Sequence, residues 1–203
     1  MKHIAVFALA LSIAAAPFAQ ARGKKEAQTE PGKYESWSDA EIDEIEIVKT
    51  FSLSDFDTIA VIPFDTTKVE AGGDKAVTIQ GALDGYTAVF VEGLRDDLQG
   101  KAKVEIADTA PKTARTLLLR GAVEELNPGS RAKRYVAGFG AGAAHNKVSV
   151  EIVDAQSGDV LVRFTQARRS AGTFKFAGRS DAQVLRDGTR AMGEDTATVL
   201  KSF

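Results

Sequence analysis

The chain has 203 residues, with 26 Lys and Arg against 28 Asp and Glu, a net charge of −2, and it contains no cysteine. The lack of a basic excess argues against a nucleic acid partner. The lack of cysteine excludes disulfides, thiolate catalysis and a lipid anchor on an N-terminal cysteine. A chain of this length is expected to form one domain with a short tail.

Residues 1–21 have the three parts of a secretory signal peptide. Lys2 supplies a positive charge, residues 4–16 form an apolar stretch, and Ala19 and Ala21 place small side chains before a cleavage site. The apolar stretch is shorter than the roughly 20 residues that a membrane-spanning helix needs, and no later stretch is long enough. We therefore expect cleavage after Ala21, no transmembrane segment in the mature chain, and a periplasmic or secreted location.

Polar residues dominate the next segment, 22–44, so we expect it to be flexible and to precede a single α+β domain over 45–203. Trp37 is the largest apolar side chain of this segment and a candidate to dock back onto the domain. Alternating apolar and polar residues favour a strand over 45–51, in preference to a short helix capped at Ser38.

Two runs further along the chain give the clearest patterns. Residues 58–64 are almost all apolar and rich in β-branched side chains, which is typical of a strand buried on both faces. Residues 78–99 have apolar side chains every three or four positions, which predicts a helix with one buried stripe. The predicted core contains Ile59, Val61, Leu83, Tyr86, Phe90, Leu94 and Leu98. Close packing against a neighbour is expected at the three glycines inside this helix, Gly81, Gly85 and Gly93.

The remaining elements are short. Strands are also predicted over 104–107 and 116–126, and alternating apolar and polar residues predict two more over 147–153 and 160–167. Ser180 and Gln183 have the spacing of a capping box and predict a final helix. Its expected inner face carries Leu185, Gly188, Met192, Val199 and Phe203. The order β-β-α-β-β-β-β-α predicts an α+β fold with a mixed or antiparallel sheet of about five to six strands and two helices packed on one face.

No arrangement of residues in the sequence points to a known catalytic chemistry, so we predict no catalytic residues, no metal site and no cofactor. His145 is the only histidine after the signal peptide, which excludes a zinc site built on several histidines and cysteines. We expect it to be a solvated loop residue. The carboxylate pairs Asp96-Asp97 and Glu124-Glu125 are neighbours in sequence that do not face each other, and we expect them to be solvated charges.

Residues 129–144 (GSRAKRYVAGFGAGAA) are the most unusual part of the sequence. Glycines at alternate positions allow a backbone to bend or to approach a surface closely, and N–H groups in such a turn can hold an anion beside basic side chains. The same pattern also fits a long hairpin packed against the protein itself or a neighbouring subunit. The candidate contact residues are Arg131, Lys133, Arg134, Gly138, Gly140 and Gly142.

This segment and the strand after it resemble a bacterial envelope family, domain of unknown function 4410. The resemblance extends over roughly residues 50–203, and the family brings no established activity. In plan, it is similar to periplasmic domains of curli-export and cell-wall-synthase activator lipoproteins, which bind and assemble with other proteins. The residues that carry the resemblance are Gly129-Ser130, Arg134, the glycine run 138–142, the strand 148–153 and the turn 154–158.

The sequence therefore favours an exported, non-enzymatic binding or assembly module of the bacterial cell envelope, with residues 129–144 as its contact surface. The expected partner is an envelope protein or a second copy of the chain. Two alternatives remain open. One is a carboxylate-dependent hydrolase of an envelope polymer. The other is a binder of an anionic small molecule or lipid headgroup at Arg131, Lys133 and Arg134.

Overall fold

The computed structural model describes residues 29–37, 39–130, 143–169 and 179–203. The strands are β1 (Gly32–Tyr34), β2 (Glu44–Ile47), β3 (Thr58–Val61), β4 (Lys103–Ile106), β5 (Thr116–Asn127), β6 (His145–Asp154) and β7 (Val160–Arg169). The helices are α1 (Ala76–Asp84), α2 (Tyr86–Leu98) and α3 (Asp181–Lys201), with single 3-10 turns at Leu53–Asp55 and Gly73–Lys75. Within the described ranges, no helix is long and apolar enough to cross a membrane.

The strands form one mixed sheet in the order β1-β2-β7-β6-β5-β3-β4. Strand β3 runs parallel to both of its neighbours, and the other neighbouring pairs are antiparallel. Parallel β3 and β4 need a crossover connection, which α1 and α2 supply. The α+β class and the mixed sheet are confirmed, but the structure has seven strands and three helices where we expected five to six strands and two helices.

The additional strand lies in the segment that we expected to be a flexible tail. β1 pairs antiparallel with β2 over its three residues. Trp37 follows it, is only 5% exposed, and stacks on Phe203 with 6.2 Å between the ring centroids, so the expected docking is confirmed. Folded structure therefore begins before residue 45, because backbone pairing and one buried indole hold this polar stretch against the domain.

Two predicted elements differ in their bounds. The strand expected over 45–51 ends at Ile47, because the N–H groups of Val48 and Lys49 both donate to the Leu161 oxygen and end the regular ladder. The helix expected over 78–99 is two helices, since the chain leaves helical geometry at Gly85 (φ −96°, ψ 0°), and glycine is a weak helix former. The capping box at Ser180 is confirmed.

A continuous apolar core lies between the helices and one face of the sheet. The apolar stripe on α1 and α2 packs against every second residue of β3. The side chains of helices and sheet therefore form one apolar layer. The predicted core residues are all buried: Ile59, Val61, Leu83, Tyr86, Phe90, Leu94 and Leu98.

Helices α2 and α3 cross with their backbones almost in contact. A Cβ added to Gly93 would lie less than 3.0 Å from the Arg190 carbonyl oxygen, and one added to Gly193 would lie equally close to the Phe90 oxygen. The expected close packing is therefore confirmed for Gly93. At Gly81 it is not found, since an added Cβ would meet nothing within 4 Å among the described residues.

The opposite face of the sheet carries a ladder of charges across five neighbouring strands. Adjacent members are oppositely charged, with N···O distances between 2.7 and 4.0 Å: Lys33, Glu46, Arg163, Glu151 and Arg120. Hydrogen bonds from Arg163 and then Arg120 hold the pKa of Glu151 below its usual value. The part of this face that carries the ladder is therefore suited to water, whereas a small apolar cluster of Ala60, Leu118, Val153 and Ala155 covers another part of it.

We predict that Leu94→Ala lowers the free energy of unfolding by about 2–5 kcal/mol, because it removes a fully buried side chain and leaves a cavity in a packed core. Urea denaturation measures the loss. The control is Val77→Ala, at a side chain that is 88% exposed, which should change stability by less than about 0.5 kcal/mol. Equal losses for the two variants would contradict the described packing.

Gly193→Ala should destabilise the protein by about 1–3 kcal/mol, since its new methyl group meets backbone of α2 that has no room to move. Gly188→Ala adds a methyl group to the same helix in open space, and helix propensity should make it stabilising by about 0.5–1 kcal/mol. Thermal unfolding of the two variants in parallel checks both signs. A melting temperature for Gly193→Ala at or above that of the unmodified chain would show that the helices do not cross here.

Candidate functional site

The predicted contact residues lie outside the part of the chain that the structure describes: Arg131, Lys133, Arg134, Gly138, Gly140 and Gly142. The two ends of their segment are described. Asn127 ends β5 opposite His145, which begins β6. Gly129 has a φ of +69° and donates its N–H to the Asn127 side-chain oxygen at 2.8 Å, a turn geometry that favours glycine. The segment therefore connects β5 and β6 at one end of the sheet.

A cavity of about 330 Å³ lies at this same end of the sheet. The ends of β6 and β7 form one wall, since His145 pairs with Arg169 in the last register of that ladder. The first half of α3 forms the opposite wall with small and apolar side chains, Val184, Leu185, Gly188 and Ala191. Ala144, the last residue of the 129–144 segment, lines the cavity directly.

Charges of both signs surround this cavity. Arg168 is bound by the buried Asp195, with Nη2 to Oδ2 at 2.6 Å, and by Glu41 at 3.4 Å. Arg179 pairs with Asp187. Arg169 adds a further cation to the lining. The cavity thus offers several hydrogen-bond donors and acceptors without a strong excess of either charge, as is common at the polar rim of protein interfaces.

His145 differs from the solvated loop residue that we expected. It is the first residue of β6, and its side chain is 24% exposed. Its Nδ1 lies 2.8 Å from Glu125 Oε2. Strand pairing with Asn127 and Arg169 fixes the backbone of this residue, so the imidazole is held at the cavity wall.

A buried polar network supports the cavity from below. Tyr86 donates its hydroxyl to Asn146 Oδ1 at 3.1 Å, and Asn146 Nδ2 donates to Thr189 Oγ1 at 3.0 Å. Burial raises the pKa of Tyr86, with hydrogen bonds from its neighbours opposing the shift, so the phenol remains a protonated donor. The network ties β6 to α2 and α3 beneath the cavity floor.

Gln166 belongs to a second buried polar cluster on β7. Its Nε2 donates to Asp195, whereas its Oε1 is buried and has no hydrogen-bond partner among the described residues. Sequence reasoning missed Asn146, Gln166 and Asp195. Their positions could have revealed them, because each is a polar residue at an inward-facing position of a strand or helix whose other inward-facing residues are mostly apolar.

The carboxylates that could have served a hydrolase are held by cations or hydroxyl groups. Asp96 pairs with Arg190 at 2.6 Å, and Asp97 pairs with Lys201 at 2.6 Å. Lys68 Nζ lies 2.9 Å from Glu124. The hydrogen bond from this ammonium group holds the pKa of Glu124 below its usual value. A general acid requires a raised pKa instead.

Within the described ranges, the other carboxyl groups with a clearly shifted pKa also have it lowered, not raised. The pKa is lowered chiefly by a hydrogen bond from a neighbouring side chain at Asp57, Asp65, Glu151 and Asp159. No group of three or more His, Cys, Asp or Glu side chains able to hold a metal ion occurs in the described part of the chain.

Three solved structures illustrate the comparison with known proteins. The PelC dodecamer from Paraburkholderia phytofirmans is 22% identical, with a TM-score of 0.47 over 78% of this chain and 97% of that one. A protein of family DUF330 from Xanthomonas campestris is 15% identical, with a TM-score of 0.40 over 70% and 82% of the two chains. Lipoprotein GNA1162 from Neisseria meningitidis is 12% identical, with a TM-score of 0.37 over 63% and 89%.

No curated protein matches the chain. The model of DUF4410, a domain of unknown function, matches residues 87–173. This range contains the 129–144 segment and both strands that line the cavity. The resemblance predicted from the sequence is thereby confirmed, and over these residues the chain is DUF4410-like.

Proposed function

We propose that the chain is an exported, non-enzymatic binding or assembly module of the bacterial cell envelope, with residues 129–144 as its contact surface. The observation that supports the proposal is the cavity of about 330 Å³ lined by Ala144, the last residue of this segment. A partner that engages the segment would also reach the charged cavity wall formed by β6 and β7.

The cavity lining supports a protein partner over a simple anion. Its three arginines are accompanied by Glu41 and Asp187, which also line it, and by Asp195 behind Arg168. A surface with both signs of charge selects a partner with a complementary pattern, because misplaced like charges are costly to bring together. An envelope protein or a second copy of the chain can supply such a pattern.

The lowered carboxyl pKa values weigh against the hydrolase alternative, since glycoside hydrolysis needs one carboxyl group that stays protonated near neutral pH. The anion-binding alternative at Arg131, Lys133 and Arg134 is separated from the protein-contact proposal by the charge-reversal experiment below.

Export predicts that the mature protein from its native host begins at Arg22 and is found in the periplasmic or secreted fraction. Intact-mass measurement of the purified protein determines the first residue, and cell fractionation determines the location. A cytoplasmic protein that retains residues 1–21 would contradict export.

Gly140→Val should weaken self-association or partner capture at least tenfold and leave the melting temperature within about 2 °C of that of the unmodified chain. The reason is that a branched side chain prevents close approach of a partner, whereas a contact segment outside the core adds little to folding. Analytical ultracentrifugation and pull-down from envelope extract measure binding, and calorimetry measures stability. A large fall in melting temperature would place the segment in the protein's own core instead.

Charge reversal distinguishes a protein contact from an anion site. Arg131→Glu with Arg134→Glu should abolish binding of a simple anion such as phosphate. The same variant should change capture of a protein partner by only a few fold if the contact made by the glycine run is largely apolar. Lys101→Glu, an exposed position in the turn before β4, is the matched control. Complete loss of both activities in the double variant, with Lys101→Glu unchanged, would favour the anion site.

A further inference from the structure

A second cavity, of about 490 Å³, lies on the other side of α3. It is bounded by α1, the start of α2 and the first half of α3. Its apolar walls are made mainly of small side chains: Val77, Gly81, Ala82, Gly85, Val89 and Ala182. A volume of this size falls within the range of about 300–1,000 Å³ typical of protein sites for small ligands.

Close packing among the described residues does not explain the glycines of this cavity. A Cβ on Gly81 would meet nothing within 4 Å, and one on Gly85 would meet only the Gly81 oxygen at 3.7 Å. Gly93, by contrast, is required by the crossing with α3. Glycine weakens a helix, so Gly81 lowers the stability of α1 without any close contact among the described residues in return. Val77 at the cavity mouth is 88% exposed.

The cavity is lined by few polar groups, and one of them is a cation. The buried Tyr86 and Thr189 lie at its base and are already bonded to Asn146. Arg186 is the only charged residue among the ten that line the cavity. Its Nη2 meets Glu92 Oε2 at 2.5 Å, and the two side chains are 55% and 44% exposed. Exposed ion pairs of this kind add little stability, so another anion can replace Glu92 at little cost.

We propose that this cavity binds a single unbranched aliphatic chain that ends in a carboxylate, as in a fatty acid. The hydrocarbon would lie along the open glycine and alanine surface of α1 and α3, and the carboxylate would take the place of Glu92 on Arg186. Apolar walls with one cation at the rim match a ligand that is apolar along its length and anionic at one end. None of the residues that line this cavity belongs to the 129–144 segment, so either proposal can fail without the other.

The first test is titration calorimetry of the purified chain with saturated fatty acids of 8, 10 and 12 carbons, each kept below its micelle concentration. We expect saturable binding of one molecule per chain. Each added CH₂ group should tighten binding about fourfold, because burial of one CH₂ contributes roughly 0.8 kcal/mol. No saturable binding of the 12-carbon acid, or an affinity independent of chain length, would overturn the proposal.

The second test fills the cavity. Gly81→Leu places a large side chain in open space on α1, so we expect a fold of unchanged or greater stability and at least a tenfold loss of affinity for the 12-carbon acid. Gln80→Leu adds the same side chain to the next, exposed position of α1, outside the cavity lining, and should leave affinity unchanged. Equal affinities of the two variants would show that the acid binds elsewhere.

The third test addresses the anionic end. Arg186→Gln should reduce affinity for the 12-carbon acid at least fivefold, and Arg186→Lys should restore part of it. Glu92→Gln removes the competing carboxylate and should tighten binding. Dodecanol has the same chain length and no charge, so it should bind the unmodified protein more weakly than the acid does. Its affinity for Arg186→Gln should equal its affinity for the unmodified protein. Tighter binding of dodecanol by the unmodified protein would contradict a role for Arg186.

Discussion

Gly93 on α2 and Gly193 on α3 allow these two helices to cross backbone against backbone, because no side chain on either helix keeps the chains apart at that point. The crossing fixes α3 over the middle of the sheet. One side of α3 then faces the ends of β6 and β7, where Val184, Leu185 and Gly188 close the first cavity. The other side faces α1, where Ala182 and Arg186 close the second. Both candidate sites therefore depend on this one contact.

The polar groups beneath α3 have a related role. Asn146 lines one cavity, and Tyr86 and Thr189 line the other, yet the three side chains are joined by hydrogen bonds in the buried space between them. Such groups are expensive to bury without partners, so each restricts where the others can sit. A purely apolar layer would tolerate small shifts of α3 along the sheet, whereas this network fixes its register against β6.

The spacing of apolar residues along the sequence predicted the buried faces of the helices and the longer strands. The stripe of Leu83, Phe90, Leu94 and Leu98 was recognisable because one face of the helices is buried along their length. β1 was missed, since a three-residue strand held by backbone pairing leaves no alternation to detect. The break at Gly85 was missed because glycine also occurs inside continuous helices.

The candidate sites depend on residues that are distant in the chain, so local sequence patterns could not predict them. Arg168 is bound by Glu41 and Asp195, and Arg186 by Glu92. No local spacing encodes these pairings, since they arise only when the sheet and α3 are assembled. The 129–144 segment was recognisable from its composition alone, and its proposed role as a contact surface rests on Ala144, which lines the cavity.

The most direct test of the contact surface is photo-crosslinking in the native host. A photoreactive phenylalanine analogue replaces Tyr135, within the 129–144 segment, or Ala88, at an exposed position of α2 that lines neither cavity. Irradiation of intact cells followed by mass spectrometry identifies whatever each position touches. We expect a discrete adduct with an envelope protein or a second copy of the chain from position 135 and none from position 88. Absence of an adduct at 135, or the same adducts from both positions, would contradict the proposed contact surface.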